Sequence, residues 1–231
     1  MISASLDRCI SFINSQGVPT GRSESETGVR RAVTISRQAG CGAVIVAEKL
    51  ANYLRQHSPP SGPVWTVFDR ELMDKILADH DLPGYLAKFL PEDRVPAVQD
   101  ALADIFGTWP TAEKLVKHTA ETLLNLAELG NVILIGRAGN IVTAKLPHVL
   151  HVRLVAPLED RIERICRDDQ KTPAEARKFC LNEEQARVRY VRKYHNADIN
   201  DPLQYHLVIN TSRVGYENTA RMIGEAVLRL A

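Results

Sequence analysis

The chain has 231 residues, 45% of them apolar, which suits one α/β domain of generous size with a small inserted subdomain. Lys and Arg total 29 against 28 Asp and Glu, a net charge of +1. That balance supplies no global basic field to draw the chain to nucleic acid or a membrane surface, so any anion site must be local. The four Cys, at positions 9, 41, 166 and 180, form no CxxC pair and no metal-ligand spacing, and read as reduced thiols. The first residues lack the basic start and apolar core of a secretory signal, and apolar runs such as "VILI" are far too short to span a bilayer. The expectation is a soluble cytoplasmic protein with neither membrane nor nucleic-acid partners.

In chain order, Ile2, Leu6, Ile10 and Ile13 recur at helical spacing and predict an amphipathic helix over residues 2–16. Its apolar face suits its own core or a neighbouring copy, so a homodimer is one arrangement it allows. The polar run "GVPTGRSESETGVRR" reads as a linker. The chain therefore divides into a helix and linker over 1–30 and a main domain over 31–231. Val33 to Ser36 is predicted as a buried strand. Val44 to Gln56 is predicted as a helix with Val44, Ala47, Leu50, Ala51 and Leu54 on one face. "VWTVF" is a second strand that runs into Asp69 and Arg70. Residues 71–110, broken by Pro83, Pro91, Pro96 and Gly107, read as an insertion of short helices. Thr111 caps a helix that reaches Leu129 and stops at Gly130.

"NVILIGR" is the third strand, and its continuous apolar run implies a parallel sheet covered on both faces. "HVLHVRLVA" is the fourth strand, followed by the helix "PLEDRIERICRDD" and a long helical stretch from Thr172. "YHLVINTS" is the fifth strand and "GYENTARMIGEAVLRLA" the closing helix. Short apolar strands alternating with helices specify an α/β fold with a doubly wound parallel sheet.

Ligands of such sheets bind beyond the carboxyl ends of the strands. The first strand is followed there by Ser36, Arg37, Gln38, Ala39, Gly40, Cys41 and Gly42, the second by Asp69 and Arg70, the third by Gly136 and Arg137, and the fifth by Asn210 and Thr211. Three of these four ends place an Arg near one rim, an anion site assembled from separate segments. Gly40 and Gly42 let backbone N–H groups approach phosphate oxygens, and the next helix adds its positive end. A second constellation is Arg161, Arg164 and Arg167 at spacing i, i+3, i+6, then Arg187, Arg189, Arg192 and Lys193. Arg carries a two-pronged donor fork that matches phosphate, so the group reads either as a phosphate-clamping lid or as helix faces paired with Glu159, Glu163, Glu175 and Glu183.

"TISRQAGCGAVIVAEKLA", "FDREL", "NVILIGRAGN", "LHVRLVAPLEDRIERI" and "DPLQYHLVINTS", in that order, resemble the cytidylate-kinase-like proteins among the P-loop nucleoside monophosphate kinases. The resemblance runs from about Val33 to the C-terminus. It implies a three-layer αβα P-loop NTPase-type fold with a parallel five-stranded sheet, a helical acceptor insertion at about 71–110 and an Arg-rich lid at about 168–200. It implies phosphoryl transfer from ATP, with Mg²⁺, to a nucleoside monophosphate such as CMP or dCMP. By that resemblance Ser36 to Ala43 hold the donor phosphates and Asn210 lies near the donor base. Asp69, Arg70 and Arg137 face the acceptor. Arg161 and Arg164 sit at the lid hinge, with Arg161 on the substrate, and Arg187 reaches the transferring group. Ser36 and Asp69 are the candidate Mg²⁺ ligands.

The loop departs from the family's pattern. Relatives read like "SREFGSGGREIA", with Glu at the position of Gln38 and Arg at that of Val44. Ile45 stands where other P-loop proteins place a Mg²⁺-binding hydroxyl. The loop thus keeps backbone donors but no cation of its own, and Arg37 is the candidate replacement, with Arg164 and Arg187 in support. Two functions follow: a nucleotide kinase, or a nucleotide-binding regulatory protein on the same fold with weak or no turnover.

Overall fold

The computed structural model describes Phe12 and residues 30–58, 64–69 and 114–230. Five strands are present: β1 (Ala32–Arg37), β2 (Thr66–Phe68), β3 (Val132–Ile135), β4 (Val149–Val155) and β5 (Leu207–Asn210). All pair in parallel, in the order β2-β3-β1-β4-β5. The helices are α1 (Ala43–Gln56), α2 (Lys114–Leu129), α3 (Gly139–Val142), α4 (Leu158–Asp169), α5 (Pro173–His195), α6 (Thr211–Val214) and α7 (Tyr216–Leu228). The five predicted strands and the long predicted helices are all present. The short helices α3 and α6 carry too few residues to show a period. The predicted helix over 2–16 (Phe12 apart), the cap at Thr111, Arg70 and the insertion over 71–110 lie outside the described residues.

The two faces of the sheet differ. Val33, Ile35, Val152 and Leu154 point to one side, where Val46, Leu50 and Leu54 of α1 and Ile223 and Val227 of α7 complete the main core. The other face of the central pair is polar. Thr34 pairs in register with His151, and Ser36 with Arg153; all four are buried. The uniformly apolar interior expected of a parallel sheet is therefore interrupted where β1 meets β4. These are the neighbouring strands whose connections leave in opposite directions, the place where open α/β sheets bind ligands.

Helix ends follow local rules. Thr172 accepts from the Glu175 amide, and the Glu175 carboxylate accepts from the Thr172 amide (2.9 Å), a capping box that fixes the start of α5. Gly130 (φ +74°) ends α2 as predicted. Phe12 is buried edge-on against Phe68, with ring centroids 5.4 Å apart. No helix of the described residues is long and apolar enough to cross a membrane.

Candidate active site

The turn after β1 is a cradle of N–H groups. Gly40 (φ +77°) and Gly42 (φ +78°) hold the left-handed backbone that L side chains disfavour. A Cβ on Gly40 would lie 2.8 Å from the Arg161 carbonyl, and one on Gly42 would lie 2.6 Å from the Tyr216 hydroxyl. The four carbonyls of residues 39–42 are each taken by a protein donor. The Ala39 carbonyl accepts from Arg161 Nη1 (3.2 Å), that of Gly40 from Arg164 Nη1, that of Cys41 from Thr211 Oγ1 (2.9 Å) and that of Gly42 from the Val46 amide (3.0 Å). No backbone carbonyl among the described residues accepts from the amides of Ala39, Gly40, Cys41 or Gly42, and no side chain caps α1. Carbonyls turned into the protein and amides turned away from it make a concavity for an anion, reinforced by the start of a fourteen-residue helix.

Guanidinium groups converge on this turn. Arg37, Arg164, Arg187 and Arg161 all stand close enough to favour the thiolate of Cys41; burial outweighs them and pushes its thiol up. Arg37, Gly136, Arg137, Glu183, Arg187 and Tyr190 line a cleft of about 210 Å³ between the strand ends and α5. The Arg37 guanidinium rests on Gly136: a Cβ there would overlap Nη1 and lie 3.0 Å from Cζ. Gly136, Arg137 and Ala138 follow one another at φ +88°, +54° and +58°. Two consecutive non-glycine residues in the left-handed region are costly, and they turn Arg137 into the cleft. Burial raises the Tyr190 hydroxyl, and neighbouring Arg137 pulls it down.

The predicted residues divide into three groups. Arg37, Arg137 and Arg187 meet in the cleft, and Arg187 also pairs with Glu183 (2.8 Å). Arg164 holds the loop and lies over the Tyr216 ring, 4.8 Å from its centroid. Gln38 accepts from the Ala156 amide (3.0 Å), and Asn210 accepts from the amides of Ser212 and Arg213, so both side chains fix backbone locally. Asp69 follows β2 at the same rim.

Two of these residues are held by protein groups. Arg161 is 4% exposed and donates to the carbonyls of Ala156 and Ala39 and to Glu184 (2.9 Å). It ties the loop to α4 and α5. Ser36 does not fit a Mg²⁺ site. Its Oγ accepts from Arg153 Nη1 at 2.9 Å and lies 3.3 Å from the Tyr205 hydroxyl, so a metal there would face a guanidinium directly. Asp69 is the predicted metal ligand that carries a carboxylate, the donor type that suits Mg²⁺. No group of three or more His, Cys, Asp or Glu among the described residues gathers as a metal site.

The sequence reading missed Arg153, His151 and Tyr216. His151 and Arg153 stand two apart in "LHVRLV", and that alternation was the available signal for a polar strand face. His151 Nδ1 lies 2.9 Å from Thr34 Oγ1, its ring stacks on His206 at 4.9 Å, and burial, with help from His206, lowers its pKa to about 4. Tyr216 meets Gly42 from 174 positions away, and nothing local announces that contact.

The chain has relatives among known proteins. The chain is 28% identical over 196 residues to a cytidylate kinase of Ignicoccus hospitalis, covering 85% of this chain and 98% of that one. It is 26% identical over 133 residues to a uronate isomerase of Corynebacterium glutamicum, a match that spans 58% of this chain and only 26% of the relative's length. Among solved structures, an uncharacterised protein from Eubacterium ventriosum superposes with a TM-score of 0.66 at 15% identity, over 86% of this chain and 98% of that one, a likeness of fold. The family model for the cytidylate kinase-like family matches residues 32–213, and the chain belongs to that family.

Proposed function

We propose that this protein transfers a phosphoryl group from ATP to a nucleoside monophosphate, with CMP or dCMP as the acceptor. The observation that carries the reading is the turn after β1. The carbonyls of Ala39, Gly40, Cys41 and Gly42 are spent on protein donors, no backbone carbonyl among the described residues takes their amides, and Arg37, Arg137 and Arg187 line one cleft beside it. Phosphoryl transfer asks a protein for positioning and positive charge rather than for a nucleophile, and this site offers those two things. The loop amides hold the donor phosphates, Arg137 and Asp69 face the acceptor, and Arg187 and Arg37 sit between them. Mg²⁺ brought in with ATP would supply further positive charge to the phosphates, and Asp69 is the residue that would hold it.

A second reading has an observation of its own. The first turn of α1 presents Ala43, 8% exposed, and Val44, 45% exposed, with no cation among them. A loop built this way binds nucleotide without hastening transfer if the Arg cluster does not replace the missing charge. A coupled assay of ADP release with ATP and Mg²⁺, run against a panel of monophosphates and a blank without acceptor, separates the two. Acceptor-dependent release supports the kinase. No release, with ATP binding seen by calorimetry, supports the binding protein.

A further inference from the structure

Arg153 lies in β4 beside Ser36 of β1 and is only 6% exposed. A guanidinium taken out of water is costly unless an opposite charge meets it. The partners of Arg153 are all neutral: Nη1 donates to Ser36 Oγ (2.9 Å), Nη2 donates to Asn200 Oδ1 (2.9 Å), and Cζ stands 5.7 Å from the Tyr205 ring centroid. Glu184, which lines the same cavity as Arg153, is engaged with Arg161. Arginine has five N–H donors, so Arg153 keeps three beyond these two bonds. It lines a cavity of about 240 Å³ with Arg37, Gln38, Glu184, Arg187 and Asn200. Three guanidiniums thus line one cavity whose single carboxylate among the described residues is already paired.

We propose that Arg153 is a phosphate-binding residue. Its guanidinium takes a nucleotide phosphate in the cavity shared with Arg37 and Arg187, and so supplies from the floor of the sheet the positive charge that the first turn of α1 lacks. The nucleotide-kinase reading names the anion; the uncompensated buried cation is what calls for one.

Asn200→Asp tests this without disturbing the packing. It keeps the acceptor at Nη2 and gives Arg153 a permanent counter-ion at hydrogen-bond distance. Arg153→Met removes the charge at similar volume. Wild type and both variants are titrated by calorimetry with CMP, cytidine, ATP and inorganic pyrophosphate, and each is melted without ligand. Asn200→Asp is expected to weaken the phosphate-bearing ligands by roughly 10- to 100-fold, the range for a hydrogen bond to a charged group. It should hold or raise the melting temperature and leave cytidine affinity unmoved. Arg153→Met should weaken the same ligands. A loss confined to CMP assigns the residue to the acceptor phosphate and a loss confined to ATP to the donor; both support it. Unchanged phosphate affinity in folded Asn200→Asp overturns the proposal, as does a wild type that binds none of CMP, ATP and pyrophosphate at millimolar concentration. Pyrophosphate binding that depends on Asn200 in a protein without turnover retains this site and removes the kinase reading. If Arg153→Met does not fold, Asn200→Asp decides.

Discussion

Gly136→Ala joins two effects that can be measured apart. Gly136 holds φ +88°, so any side chain there pays the left-handed penalty, about 1–2 kcal/mol of stability. The added Cβ also claims the seat of the Arg37 guanidinium, whose Cζ would be only 3.0 Å away. Ordinary contact lies at about 3.5–4.0 Å, so Cζ must withdraw by roughly 0.5–1 Å. The guanidinium is the flexible end of a long side chain and moves before the sheet does. A displacement of about 1 Å at a reacting centre costs on the order of 10²-fold in rate. The expected result is a loss of about 1–2 kcal/mol in urea denaturation together with a fall of roughly 100-fold in kcat/KM. In an Arg37→Ala background there is no guanidinium to displace. There Gly136→Ala should keep its stability cost and change the remaining activity less than about threefold. Equal losses of activity in the two backgrounds would refute the seating of Arg37 on Gly136.

Arg161→Met removes a buried guanidinium from Glu184 and from the carbonyls of Ala39 and Ala156, and should destabilise by about 3 kcal/mol in urea denaturation. That is the low end for a buried pair, since Glu184 keeps 24% of its side-chain surface exposed; adding Glu184→Gln should recover part of the loss. His151 gives a pH dependence. Its folded pKa of about 4 lies below the ordinary 6.5, so the unfolded chain binds the extra proton, and stability is complete above pH 6.5 and lost as pH falls towards 4. The difference is worth about 3 kcal/mol, and His151→Gln should lessen the fall of the melting temperature between pH 6.5 and 4, with half-buried His195, also lowered to about 4, supplying much of what remains. Val44→Arg places a cation in the exposed first turn of α1. If Arg37, Arg153 and Arg187 already supply the charge, kcat should change less than about threefold, and a hundredfold gain would show the native site short of cations.

The strands were legible because parallel strands buried on both faces leave continuous apolar runs, as in Val132–Ile135. The same rule hid the chemistry of the sheet. His151 and Arg153 stand inside a run that reads as core, and their pairing with Thr34 and Ser36 belongs to register between strands more than a hundred positions apart. Arg37 and Arg137 were legible together as residues at strand ends, and Arg187 separately as part of the Arg-rich helix; that all three line one cleft emerges only from the packing of α5 over the sheet. The partners of Arg161 were not legible for a physical reason: its donor fork fits protein carbonyls and a Glu as well as a phosphate, and spacing does not say which it meets. The missing loop cation was plain from Ala43 and Val44, whereas Arg153 emerges only when β4 is laid beside β1.

The central claim is transfer between two nucleotides, and the most direct test is phosphorus NMR of the full chain with ATP, Mg²⁺ and CMP. The account predicts a new diphosphate pair from CDP growing in step with ADP, absent when CMP is replaced by cytidine. ADP that accumulates with inorganic phosphate and no CDP or other acceptor diphosphate, or spectra that stay unchanged while ATP binds, would contradict it.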